Sequence, residues 1–201
     1  PNAALLAAFE AAFEAELDRS PQFATSLGDK RNQHLWGDVT PAAQALALRQ
    51  RRQALDKINR DIPVAALTPA NQLSLRLFQR QVERAEAGAP FDLHAYPFNQ
   101  MFGVQSEAPT FLMNQHRITS PTDAEAYLGR LVRLPELFRQ HLANVQAARA
   151  RGITMPAFVF DYVLNDCRNL LAGVPFGPGP GETPLWSDLQ RKVNALDLGP
   201  A

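Results

Sequence analysis

The sequence predicts an all-α protein, an irregular bundle of about six to eight helices with a long irregular segment near residues 89–119. Apolar residues recur at helical rather than alternating spacing, and glycine or proline falls where each apolar stripe stops. Five hydroxyl-proline pairs, Ser20-Pro21, Thr40-Pro41, Thr68-Pro69, Ser120-Pro121 and Thr183-Pro184, supply the order that opens a helix. In each, an oxygen is placed to cap free amides, and a proline follows where its missing N–H loses nothing.

Leu5, Phe9, Phe13 and Leu17 step by four and lay one stripe on a helix beginning near Asn2. A short helical turn from Pro21 stops at Gly28, and a loop carrying Trp36 runs to Val39. Leu48, Leu55, Ile58 and Ile62 share a face of a helix from Pro41 that Pro63 ends. The next spans Pro69 to Ala87, with Leu73, Leu75, Leu77, Phe78 and Val82 on its stripe. In 89–119 no period persists, beyond short helical pieces near Pro109 to Gln115. Ser120 and Asp123 form a capping-box variant at the head of a long helix that ends at Gly152. Its interior Pro135 predicts a division or bend near Leu134, since such a proline costs about 3 kcal/mol. A helix from Pro156 to Ala172 is apolar on much of its surface and is expected to be deeply buried. The domain reading is therefore a helical unit over 1–173, a Gly/Pro-rich linker over 174–183, and a further helical region over 184–201 that begins with a helix from Pro184 to about Leu196.

The 201 residues carry 20 basic and 20 acidic side chains, and 46% are hydrophobic, a globular composition large enough to bury a core without disulfides. Charge is balanced in both halves, and only Arg49, Arg51 and Arg52 approach a basic cluster, which argues against nucleic acid as a partner. Cys167 is the single cysteine, so neither an internal disulfide nor a Cys-rich zinc framework is available. No apolar run approaches the roughly 20 residues of a membrane span. Pro1 in place of methionine is read as a trimmed or processed start.

Zinc hydrolysis on a helix needs two histidines one turn apart with a carboxylate between them. His34, His94, His116 and His141 are too far apart in sequence for that, and we assign no metal ligand, no catalytic residue and no cofactor to this chain. His141 lies on an apolar helix face and reads as a core histidine. Cys167, within a helix, reads as a small buried hydrophobe. Glu10 with Glu14, and Glu83 with Glu86, read as solvated charge on polar faces. Gly177, Gly179 and Gly181 alternate with prolines, which lack the amides a phosphate cradle requires. The run Tyr96-Pro97-Phe98-Asn99-Gln100-Met101-Phe102-Gly103 mixes amides with aromatics where the helices stop. Tyr96, Asn99, Gln100 and the neighbouring His116 are the candidates to line a cleft.

Four stretches resemble the bacterial domain-of-unknown-function family 885. They are Ser20-Pro21-Gln22-Phe23-Ala24-Thr25-Ser26-Leu27-Gly28, Tyr96-Pro97-Phe98-Asn99-Gln100 with Gly103, Tyr127-Leu128-Gly129-Arg130-Leu131 leading to Leu134-Pro135, and Gly152-Ile153-Thr154-Met155-Pro156. Together they follow the family's order along essentially the whole chain. The resemblance implies the N-terminal third of a longer protein grouped with thermolysin-like zinc metallopeptidases, whose His-Glu zinc helix lies downstream and matches no residue here. It further implies a missing C-terminal catalytic part as partner, a peptide as substrate, zinc as the cofactor of the whole protein, and a periplasmic, exported or lipoprotein location, with the cytoplasm as the alternative. On this reading the chain is scaffold and one wall of a peptide-binding cleft. The alternative is a self-contained helical module for a peptide or small molecule, and a third reading is a hydrolytic site near His116.

Overall fold

A computed structural model describes residues 1–178 and 181–196. Among them are eight α-helices: α1 (Asn2–Arg19), α2 (Pro21–Ser26), α3 (Pro41–Asp61), α4 (Pro69–Gly88), α5 (Val104–Asn114), α6 (Pro121–Arg149), α7 (Phe158–Leu170) and α8 (Pro184–Asn194). Short 3-10 turns occupy Val64–Ala66 and Ala89–His94. The only β pairing among the described residues is an isolated bridge between Val174 and Glu182.

Each of the five prolines that follow a hydroxyl residue is the first residue of its helix. Thr40, Thr68 and Ser120 also accept a hydrogen bond from an amide in the first turn, at 3.3, 3.4 and 3.2 Å. Ser20 instead donates to Glu16 Oε1, and the Thr183 hydroxyl is buried without a partner among the described residues. Gly28 and Gly152, at φ +83° and +75°, end α2 and α6 in the left-handed region that a side chain disfavours.

Helix α3 packs on both α1 and α4. Leu5, Leu55, Ile58, Ile62, Leu67, Leu75 and Val82 form their shared core, and Phe9 packs against Phe78 with ring centroids 5.3 Å apart. A second core gathers Leu112, Ile118 and Tyr127 with Trp36, Leu131, Leu134, Leu185 and Leu189. Helix α8 thus joins the core that α5 and α6 build. The expected linker over 174–183 includes positions 179 and 180, which lie outside the described residues. Its flanks are tied together: Val174 N–H donates to Gly181 O, and Thr183 N–H donates to Val174 O, both at 3.0 Å.

Two expectations are corrected and a third is narrowed. Residues 89–119 are not structureless, because α5 begins at Val104 and runs through Pro109, five residues before the expected helical piece. Of the two outcomes expected near Leu134, a division or a bend, the division does not occur: α6 is one helix through Pro135. Tertiary bonds grip it on both sides of the proline. Arg130 is anchored on one side, and on the other Gln140 and Asn144 clamp the Val39 amide and carbonyl at 3.1 and 2.9 Å. Helix α7 is not deeply buried. Val159 is enclosed, whereas Phe158, Tyr162 and neighbouring Leu171 are 56%, 60% and 61% exposed. Apolar content all round a helix gives no direction for burial, and only one side of α7 is covered.

A Cβ at Gly103 would collide with the Gln105 carboxamide and the Asn99 carbonyl. We expect Gly103→Ala to lower the unfolding free energy by about 1 to 3 kcal/mol, read as a drop in urea midpoint at unchanged slope.

Candidate functional site

The segment joining α4 to α5 turns sharply at Tyr96, a non-glycine residue at φ +45°. The Asn99 side chain holds this turn. Its Nδ2 donates to Tyr96 O at 3.0 Å, and its Oδ1 accepts from the amides of Met101 and Phe102 at 2.9 and 2.7 Å. Gln105, fully buried, extends the network by donating to Asn99 O at 2.6 Å and to Asp166 of α7 at 3.2 Å. Asn99 therefore spends its amide on backbone, as Asx turns do. Gln100 is exposed on the same turn. Tyr96 lines a cavity of about 330 Å³ with Leu93, His141, Met155 and Phe160.

His116 lies elsewhere, in the interior, at 1% exposure. The Nη1 of Arg130, which only donates, lies 3.0 Å from His116 Nδ1, so Nδ1 is the acceptor and the ring proton sits on Nε2. That Nε2–H donates to the Asp123 carbonyl at 3.2 Å. Both ring nitrogens are thereby used, and one faces a cation, which disqualifies His116 as a metal ligand in this arrangement. Burial and the Arg130 charge pull its pKa down to about 4, outweighing the Asp123 carbonyl bond.

Arg130 has no solvent exposure. Its Nε donates to Leu35 O at 2.9 Å, and its Nη2 donates to Thr25 Oγ1 at 2.8 Å and to Pro21 O at 3.2 Å. The rings of Phe111 and Trp36 lie 4.8 and 5.5 Å from its guanidinium carbon. Burial lowers its pKa to about 10, which leaves it charged at neutral pH. Asp123, equally enclosed, accepts from Lys30, Gln33 and both the amide and hydroxyl of Thr119 at 2.7 to 3.0 Å. Burial pushes the Asp123 carboxyl up, but these donors prevail and hold it well below the usual range. Lys192 of α8 donates to the carbonyls of Leu112, Met113 and His116 at 2.8, 2.7 and 3.0 Å, closing the C-terminal end of α5.

This cluster binds α2, the loop after it, the segment after α5, α6 and α8 together, and it encloses Arg130, His116 and Asp123 away from solvent. Among the described residues no three His, Cys, Asp or Glu side chains converge to hold a metal ion. Burial and Asp166 push the Cys167 thiol up, toward the unreactive protonated form. No helix of the described residues is long and apolar enough to cross a membrane.

A family model described as "Bacterial protein of unknown function (DUF885)" matches residues 21–197. The chain belongs to the DUF885 family. No curated protein matches it. In this DUF885 chain the matched span holds the whole Arg130–His116–Asp123 network and the cavity beside Tyr96. Sequence reasoning picked out His116 and the Asp123 cap but missed Arg130, Lys30 and Lys192 as their partners. The available signal was a charged residue, Arg130, set within the apolar stripe of Tyr127, Leu131 and Leu134.

Neutral His116 makes stability depend on pH with a definite sign. Its pKa in the fold lies below the ordinary 6.5, so the unfolded chain binds more protons, and stability present above that value is lost as pH falls toward 4. We expect the urea midpoint to decline across that window, with about 3 kcal/mol as the ceiling for this residue. His116→Gln, whose amide keeps one acceptor and one donor, should flatten the decline. Arg130→Met should cost about 3 to 5 kcal/mol in unfolding free energy, because Thr25, Leu35 and His116 lose their buried donor. Arg130→Lys should rescue little of that loss, since a point charge cannot reach all four acceptors.

Proposed function

We propose that this DUF885 chain is the helical scaffold of a zinc-peptidase-like protein, walling one side of a peptide-binding cleft while residues outside this chain hold the metal. The observation that carries the proposal is the uncovered apolar surface of α7 and the run after it. Phe158, Tyr162, Leu164, Leu171 and Phe176 all stand exposed. Large apolar side chains left uncovered in such number along one segment are ordinarily buried against further polypeptide or a ligand. The buried polar cluster suits a scaffold, since a satisfied internal network fixes helix positions without offering chemistry. The four stretches that resemble the family support the same reading.

The reading frame that encodes this chain should continue into a helix with paired histidines and a glutamate. The resulting polypeptide should hydrolyse peptides, lose that activity to a chelator and regain it with zinc. Tyr162→Asp in that polypeptide should lower its melting temperature by several degrees, because a charge would be forced into a covered interface. A frame without the zinc helix, or a Tyr162→Asp protein as stable as its parent, would overturn the proposal.

A further inference from the structure

The cavity beside Tyr96 is walled by the 93–97 turn, the C-terminal half of α6 and the segment from Ile153 to Phe160. At about 330 Å³ it exceeds the voids that close packing leaves in a protein interior and falls at the small end of ligand sites. Its walls are mainly apolar, from Val145, Ala148, Met155 and Phe160. Uncharged hydrogen-bonding side chains stand among them, Gln44, Tyr96 and Thr154 as well as His141 and Asn144. His141 is half-buried with its ring edge-on to Phe98, centroids 6.3 Å apart, and neither of its nitrogens is engaged by a described residue. Burial pulls its pKa down, so at neutral pH it presents one donor and one acceptor. Asn144 spends its Nδ2 on Val39 O and keeps its carbonyl oxygen for a second partner.

A separate observation points the same way. Tyr96 holds a left-handed backbone conformation that costs a non-glycine residue roughly 1 kcal/mol or more. The Asn99 bond to its carbonyl maintains that conformation, and the Tyr96 side chain forms part of the cavity wall. Strain of this sort is retained where a side chain must be placed for a ligand. At the rim, Arg149 and Asp92 carry opposite charges and neither has an ion-pair partner among the described residues, so the site has no net preference for an ion.

We propose that this cavity binds a small uncharged aromatic group bearing one hydrogen-bond donor, with its ring against Met155 and Phe160 and its donor directed to the imidazole of His141 or the carbonyl oxygen of Asn144. That chemistry belongs equally to a free molecule such as indole or phenol and to a tryptophan or tyrosine side chain of a peptide. The proposal does not depend on the peptidase reading.

The test uses the intact protein carrying 13C-methyl methionine, with the Met155 resonance assigned by Met155→Leu. Indole, phenol, benzene and a blocked Gly-Trp-Gly peptide are titrated in turn. Met155 should shift saturably with indole or with the peptide, whichever binds more tightly naming the source, while Met101 and Met113 stay in place. Val145→Phe should abolish the shift by filling the cavity. His141→Phe should weaken phenol about fivefold to tenfold, the worth of one hydrogen bond, and leave benzene unchanged. Should Val145→Phe fail to fold, nuclear Overhauser contacts from indole to the Met155 methyl and Phe160 ring in the unsubstituted protein decide the matter. No saturable shift at millimolar ligand, a shift retained in a folded Val145→Phe protein, or the absence of those contacts would overturn the proposal.

Discussion

A guanidinium buried without access to water imposes more on this fold than any apolar contact does. Arg130 projects from α6 and donates to both ends of α2, to the loop that follows it, and to the histidine after α5. A charge taken out of water is tolerable only if its donors are satisfied, so these segments must arrive together or not at all. The aromatic faces of Trp36 and Phe111 complete the enclosure and add attraction to the ring quadrupoles. The demand is directional, unlike burial of a leucine, and it ties a helix near residue 130 to a loop near residue 35.

The same constraint explains the unusual states around it. His116 must be neutral because its acceptor nitrogen faces a fixed cation, and its remaining proton then has one place to go, the Asp123 carbonyl. Asp123 must be charged because Lys30, Gln33 and Thr119 all donate to it. Lys192 brings α8 onto the carbonyls that end α5, and its ammonium also lies 2.8 Å from Asp188 within α8. Polar groups thus decide how the second core is assembled, while the first core, between α1, α3 and α4, is set by leucine, isoleucine and phenylalanine packing.

The two cores place the remaining surfaces. With α5 and α8 fixed by the polar cluster, α7 rests on α5, where its Asp166 accepts from Gln105, and leaves Phe158, Phe160 and Tyr162 exposed. With the loop at Val39 clamped onto α6 by Gln140 and Asn144, the space between α6 and the Tyr96 turn stays unfilled. The open face of α7 and the cavity are therefore consequences of rigid placement rather than of loose packing.

The sequence by itself determined the helices and their starts. Hydroxyl-proline pairs and glycine stops act through the nearest four or five residues, so Pro21, Pro41, Pro69, Pro121 and Pro184 were readable as first helical positions. It also marked the Tyr96-to-Gly103 stretch as a break between helices, because Pro, Asn and Gly among aromatics interrupt the helical period. Tertiary structure alone decided that Pro135 leaves α6 whole, that α5 forms across Pro109, that α7 is half open, and that His116 is an interior acceptor rather than a cleft residue. Each of these depends on partners 14 to 109 residues away in the Arg130 network or on which side of a helix another happens to cover. Neither dependence is encoded in local spacing, because a hydrogen bond across the fold exists only once both ends have been brought into place.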